Sequence, residues 1–283
     1  MKSDSPRTIP AQNSRRRFLQ GSLLTGAAAL AGPALLSACG DGDIVSALRP
    51  SRIRVLGDGL SFLGSPRFTV NDGSARLWVD QIATRYGLTL TAADGFAAGN
   101  ATVADIAGQI TAAGAPGAND LFLINAPMQD IFVSTASAST AGRTLADSVR
   151  ALIASGAKFV AVAGMYDLGK APEVIALGQT VAFSDAALAF NNSFKVNAED
   201  LGANLLFIDL AFYVNDLVRI PGAYGLTNAT SAVCVPPVAT ACDTTTLIDA
   251  NYVDYLFADG RHLTPEAHRL FGDYAYDQII RRW

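Results

Sequence analysis

Short apolar runs alternate with helical patterns along this chain, and that alternation constrains its fold more than any other feature. Residues 52–56, 88–91, 121–124, 158–162 and 205–209 read as five strands, each four or five residues long. Between them, Leu77, Val79, Ile82 and Tyr86 fall on a helical pattern stopped at Gly87. Val103, Ile106 and Ile110 mark a second helix. Leu145, Val149, Leu152 and Ile153 follow i, i+4, i+7, i+8 spacing before Gly156, a helix stop. Further helices are predicted over 185–200 and from Pro265 towards Ile280. Strands joined through helices need crossover connections, so the predicted sheet is parallel and covered on both faces. The expected fold is an α/β, three-layer α/β/α sandwich with a five-stranded parallel sheet. The composition, 50% apolar and 16% charged over 283 residues, suits one packed core. A net charge of −4 gives no basic footprint for nucleic acid, and three Cys with two His are too few for a Cys/His zinc cluster. With no internal repeat, residues 52–283 form one predicted domain. Its least regular part, 221–249, reads as a long surface loop or lid.

The first 38 residues read as an address. Arg15-Arg16-Arg17-Phe18-Leu19 precedes a mildly apolar, Ala- and Gly-rich stretch that ends Leu36-Ser37-Ala38-Cys39. This pattern resembles a bacterial twin-arginine export signal joined to a lipobox. Gln20, Ser22, Thr25 and Pro33 make it a poor hydrocarbon span of ~20 residues. Cleavage before Cys39 would leave a lipidated tether over 39–51 and remove five basic residues and one acid, Asp4. An acidic mature chain is not drawn to anionic lipid by charge, so attachment would rest on the N-terminal acyl chains alone. No later run reaches 18 apolar residues, which predicts a soluble body. The expected location is the periplasm or cell envelope. Cys234 and Cys242, in a Pro-rich segment, could pair as a disulfide in that compartment or remain two thiols.

Ligands of parallel sheets bind beyond the carboxyl ends of the strands, which directs attention to four segments. The first strand ends Gly57-Asp58-Gly59-Leu60-Ser61. Gly99-Asn100 follows the second, and Pro127-Met128-Gln129-Asp130 the third. Asp259-Gly260-Arg261-His262 lies near the C-terminus, before a helix start marked by Thr264 and Pro265. Taken alone, each is weak: Gly-Asp-Gly is commonly a turn, and a single His is commonly structural. Their order and placement carry the signal, together with Leu77-Trp78-Val79, Tyr166-Asp167-Leu168-Gly169 and Tyr224-Gly225-Leu226-Thr227-Asn228.

From Ile53 to Trp283 the sequence resembles the GDSL/SGNH ester hydrolase family, in particular its exported bacterial lipase–esterase branch. The resemblance implies a flavodoxin-like α/β/α sandwich and hydrolysis of carboxylic or lipid acyl esters, with no cofactor and no metal. It also implies that His262 is the base and Asp259 its orienting carboxylate. Gly99 would supply an oxyanion-hole N–H, as would the backbone at position 59, and position 129 a side-chain donor. Asp130 matches the last residue of the third motif, and Asp58 is read as a residue that caps or orients the first turn.

The departures from the family pattern matter most. The nucleophile position holds Gly59, the oxyanion Asn position holds Gln129, the Gly before it is Pro127, and Leu263 follows the His. Without a hydroxyl at position 59 the acyl-enzyme route has no attacking atom. The expectation is therefore an inactive or strongly impaired protein that binds a small acyl ester or lipid-like ligand. The alternative is a working esterase or lipase that uses His262-activated water or Ser61. Ser61 lies two residues on, off the face that serves position 59, and reads as a helix cap. His268 reads as a helix-surface residue. Tyr224, Tyr252, Tyr255 and Phe257 read as core, or else as an apolar acyl pocket.

Overall fold

The computed structural model describes residues 47–70, 76–235 and 239–283. The export signal and Cys39 lie outside the described residues. Four strands form the main sheet: β1 (Arg52–Leu56), β2 (Asp120–Asn125), β3 (Phe159–Ala163) and β4 (Leu205–Ile208). They are parallel and ordered β1-β2-β3-β4. All six residues of β2 are buried, as a strand covered on both faces must be. The helices that connect and cover them are α1 (Trp78–Arg85), α2 (Ile106–Ala113), α3 (Gln129–Val133), α4 (Ala138–Ala154), α5 (Pro172–Ala176), α6 (Thr180–Asn197) and α7 (Leu210–Arg219). Two short parallel strands, β5 (Asn228–Ala232) and β6 (Tyr255–Phe257), form a separate pair, and α8 (Pro265–Arg282) closes the chain. Helices α4 and α6 pack on each other, as do α1 and α8, which makes the outer layers of the sandwich. None of the described helices is long and apolar enough to cross a membrane.

The expected fifth strand is corrected. Residues 88–91 join no ladder, although Leu88 and Leu90 do pack on the core. The free edge of β1 is instead taken a few residues later. There Phe96 donates its N–H to the Val55 carbonyl (2.8 Å) and Ala98 donates to Gly57 (3.2 Å). Small residues let the chain approach: a Cβ on Gly95 would lie 2.9 Å from Leu63. The main sheet therefore has four strands and an irregular extended edge. The segment 221–249 is also more ordered than a loop, since it contains β5 and the disulfide Cys234–Cys242, whose Cα atoms are 5.7 Å apart. That pair packs with Val70, Val233 and Ala258 in a small cluster of its own.

His268 is not on the surface. It is fully buried in α8, where its Nδ1 faces the Trp78 N–H at 3.4 Å and its Nε2 has no partner. Helix α8 uses a second buried stripe against α1, which a charged helix with Arg269 and Asp273 on its outer face conceals. Burial, with the nearby charges of His262 and Arg67, holds the His268 imidazole down at about 3. It is therefore neutral in the fold, while the unfolded chain takes up a proton below its usual 6.5. Stability from this group is complete above 6.5 and is lost as pH falls towards 3. Urea titrations should show a loss of about 2 kcal/mol between pH 7 and pH 5, and His268→Gln should remove most of that dependence.

Candidate functional site

The site is assembled on one buried carboxylate. Asp58 follows β1 and caps a single 3₁₀ turn, Gly59–Ser61, by accepting the Leu60 N–H at 3.0 Å. It also accepts from the Asn125 amide (2.6 Å) at the end of β2 and from the Met128 N–H (2.8 Å) just before α3. Burial holds its carboxyl above the usual carboxylate range, against the pull of these donors and of His262. Gly57 makes the approach possible. Its φ is +126°, and a Cβ there would lie 2.0 Å from the Asn125 Oδ1. The cap predicted for Asp58 is thus present. Ser61 is no cap: it is wholly buried and accepts the Trp78 indole N–H at 3.0 Å.

The second half of the site lies past β6. Asp259 accepts the backbone N–H groups of Arg261 (2.8 Å) and His262 (2.6 Å), which folds the Asp-x-x-His turn. Its carboxylate then meets the His262 Nδ1 at 2.9 and 3.1 Å. Burial alone would raise the Asp259 carboxyl. The His262 hydrogen bond and charge, with the two backbone donors, outweigh it and hold the group at about 2. The turn is fixed from outside as well. Tyr166 donates to the Arg261 carbonyl (2.8 Å), and the Glu173 backbone N–H donates to the Gly260 carbonyl (3.1 Å). Thr264 caps α8 through the Ala267 N–H, as its sequence position predicts.

Both halves meet at the carboxyl end of β1. A Cβ built on Gly59 would lie 2.9 Å from the His262 Nε2, so the imidazole stands directly over the position that lacks a hydroxyl. Gly59, Asp259 and His262 are brought together as expected. Gly99 and Gln129 border the same cavity of about 200 Å³. Asp130 faces away: it accepts the Val103 N–H at 2.9 Å and ties α3 to the turn that begins α2, with burial raising its carboxyl.

Sequence reasoning missed three neighbours. Phe68 lies across the cavity floor, its ring centroid 4.6 Å from that of His262, and nothing in its sequence context marks it. Arg261 pairs with Glu173, its Nε 3.0 Å from Oε2, and its guanidinium stacks 3.7 Å over the Phe132 ring. Arg261 sits between the two dyad residues, which could have drawn notice, whereas Glu173 comes from a distant helix. None of the four aromatics read as core or else as an apolar acyl pocket lines this cavity. Phe257 is core, Tyr224 pairs with Tyr213 and Asp216, and Tyr252 and Tyr255 pack beside the disulfide. Among the described residues no group of three or more His, Cys, Asp or Glu could hold a metal ion.

The sequence model of the family described as "GDSL-like Lipase/Acylhydrolase" matches residues 53–275. A curated relative, "Uncharacterized protein in trpE-trpG intergenic region" of Pseudomonas putida, is 26% identical over 161 residues, which is 55% of this chain and 27% of that protein. The chain thus spans about a quarter of that relative's length. Among solved structures, a member of the lipolytic protein G-D-S-L family from Veillonella parvula superposes with TM-score 0.53 at 13% identity, over 80% of this chain and 96% of that one. A lipase/acylhydrolase from Enterococcus faecalis gives 0.48 at 16% identity, over 82% and 96%.

The Asp58 hub sets an expectation for stability. Asp58→Ala leaves three buried donors without their acceptor and should cost about 3 kcal/mol or more in urea unfolding. Asp58→Asn keeps an acceptor for some of them and should cost roughly half as much.

Proposed function

The chain belongs to the GDSL-like lipase/acylhydrolase family, and on that premise we propose an exported, lipid-anchored member that binds a small polar acyl ester without forming an acyl-enzyme. One observation carries this reading: the His262 Nε2 faces Gly59 with no hydroxyl to deprotonate. Loss of the nucleophile in a Ser-His-Asp system costs about 10⁶ in kcat, or ~8 kcal/mol. A repositioned side chain does not recover that. Ser61 is no substitute, because its hydroxyl is buried and engaged by the Trp78 indole.

A water in the place of the missing hydroxyl is also disfavoured. With a Cβ site 2.9 Å from the Nε2, the imidazole nitrogen lies within about 4.4 Å of the Gly59 Cα. Phe68 ring atoms close the remaining side at 3.0 and 3.2 Å from the same point. The ring therefore crowds the place a water would take between base and backbone.

The cavity argues for a short, polar ligand. Its volume of about 200 Å³ is below the ~300–1,000 Å³ of ordinary small-molecule pockets. Its rim carries Asn100, Gln129, Glu173 and Arg261, which suit a hydroxylated or amide-bearing group better than a long acyl chain. The cavity opens at the carboxyl end of β1, whereas the tether enters at the amino end. There Ala47 and Leu48 donate their N–H groups to the Trp283 carbonyl at 2.7 and 3.1 Å.

Two measurements on the mature protein test this. A fluorophosphonate probe should label no serine. Hydrolysis of p-nitrophenyl acetate should stay at the buffer rate and be the same in His262→Ala. Labelling at Ser61, or turnover that disappears in His262→Ala, would overturn the proposal in favour of a working esterase.

A further inference from the structure

Phe68 occupies the space that an ester carbonyl would need. A reacting carbonyl must sit about 3 Å from both the nucleophile and the oxyanion donors. In this protein those boundaries are Gly59 with His262 on one side and Gly99 on the other, and the phenyl ring touches all three. A Cβ on Gly99 would lie 2.4 Å from the ring Cε2 and Cζ, and one on Gly59 would lie 3.0 Å from Cγ. The ring tilts 42° against the imidazole at a centroid separation of 4.6 Å.

The ring is also held from both sides along the chain. Arg67 pairs with Asp80, which itself accepts the Leu77 N–H (2.8 Å) at the start of α1. Thr69 and Val70 are fully buried, and Val70 packs in the cluster that contains Cys234, Cys242 and Ala258. Phe62 meets the ring edge-on at 6.1 Å.

We infer that Phe68 is a fixed stopper over His262, and that the glycines at 59 and 99 are the space its ring requires. A ligand in the outer cavity then rests against the ring edge, with its carbonyl kept off the imidazole. The missing hydroxyl and the inserted ring are two parts of one substitution: a methylene at position 59 would press on the phenyl and the imidazole together. This deepens the reading of an Asp259–His262 site that does not turn over, and its consequence can be measured without any turnover.

The chain contains only two histidines, His262 and the buried His268, so diethyl pyrocarbonate followed by peptide mass spectrometry reads the stopper directly. His262 in the wild-type protein should react slowly. Phe68→Ala should raise that rate at least tenfold, Phe68→Leu by less, and His268 should stay unreactive in all three. Equal His262 rates in wild type and Phe68→Ala would overturn the inference, and Phe68→Leu decides it if the alanine variant does not fold. A second arm restores the nucleophile. Gly59→Ser with Phe68→Ala should hydrolyse p-nitrophenyl acetate at least tenfold faster than Gly59→Ser alone. An equally fast single variant would overturn the stopper. Two silent serine variants alongside a faster His262 reaction would support it and place the remaining deficit at Gln129. Wild-type turnover would end the inactive reading alone and leave the carbethoxylation rates to decide the stopper.

Discussion

The buried carboxylate of Asp58 is the constraint on which the site depends. It gathers the ends of β1 and β2 and the entry to α3 by accepting from Leu60, Asn125 and Met128. Removed from water, a carboxylate needs such donors, and each donor needs it in turn. The consequence reaches past Asp58 itself. The turn that presents Gly59 and the helix start that presents Gln129 move as one body, so the two halves of any carbonyl-binding geometry are set by a single hydrogen-bonded node. Opposite it, the 259–262 turn is fixed by its own Asp259 acceptor, by Tyr166 and by Glu173. The cavity is therefore a gap between two rigid parts.

Much of this was legible in the sequence where local chemistry and burial agree. The β1, β2, β3 and β4 runs announce themselves because strands covered on both faces are continuously apolar, and the glycines that end α1 and α4 are visible stops. Thr264-Pro265 fixes the start of α8 in the same way. Residues 88–91 misled because alternation of half-buried and exposed positions is a strand signal only where a ladder edge is free, and residues 95–98 hold that edge. Strand β5, Asn-Ala-Thr-Ser-Ala, could not be seen, since its pairing with β6 rests on backbone bonds and the nearby disulfide and has little apolar patterning behind it. His268 was misplaced because the apolar stripe of α8 is broken by charge.

The site divides along the same line. Asp259, His262, Gly59 and Gln129 were legible because they stand in ordered motifs at strand ends. Phe68 and Glu173 were not, because neither motif nor spacing connects them to those residues, and only the packing of distant segments does. What they change is the character of the cavity. Sequence reasoning put a vacant nucleophile position at Gly59 and left Tyr224, Tyr252, Tyr255 and Phe257 as core or as an apolar acyl pocket. The structure has a small polar cavity with an ion pair on its rim and a phenyl ring on its floor.

The persistence of an imidazole–carboxylate pair beside an absent hydroxyl has a structural explanation. Asp259 stays ionised and meets the His262 Nδ1, while the Nε2 faces the Gly59 backbone and the Phe68 ring. The same carboxylate accepts two backbone N–H groups that would otherwise be buried without partners. Next to it, Ala258 accepts the Cys234 N–H (2.8 Å), so the dyad turn is joined to the disulfide cluster through one hydrogen bond. Removing Asp259 would unmake that turn before it touched any chemistry. A dyad with this much structural use is accounted for by the fold alone, and its presence is weak grounds for assigning catalysis to the chain.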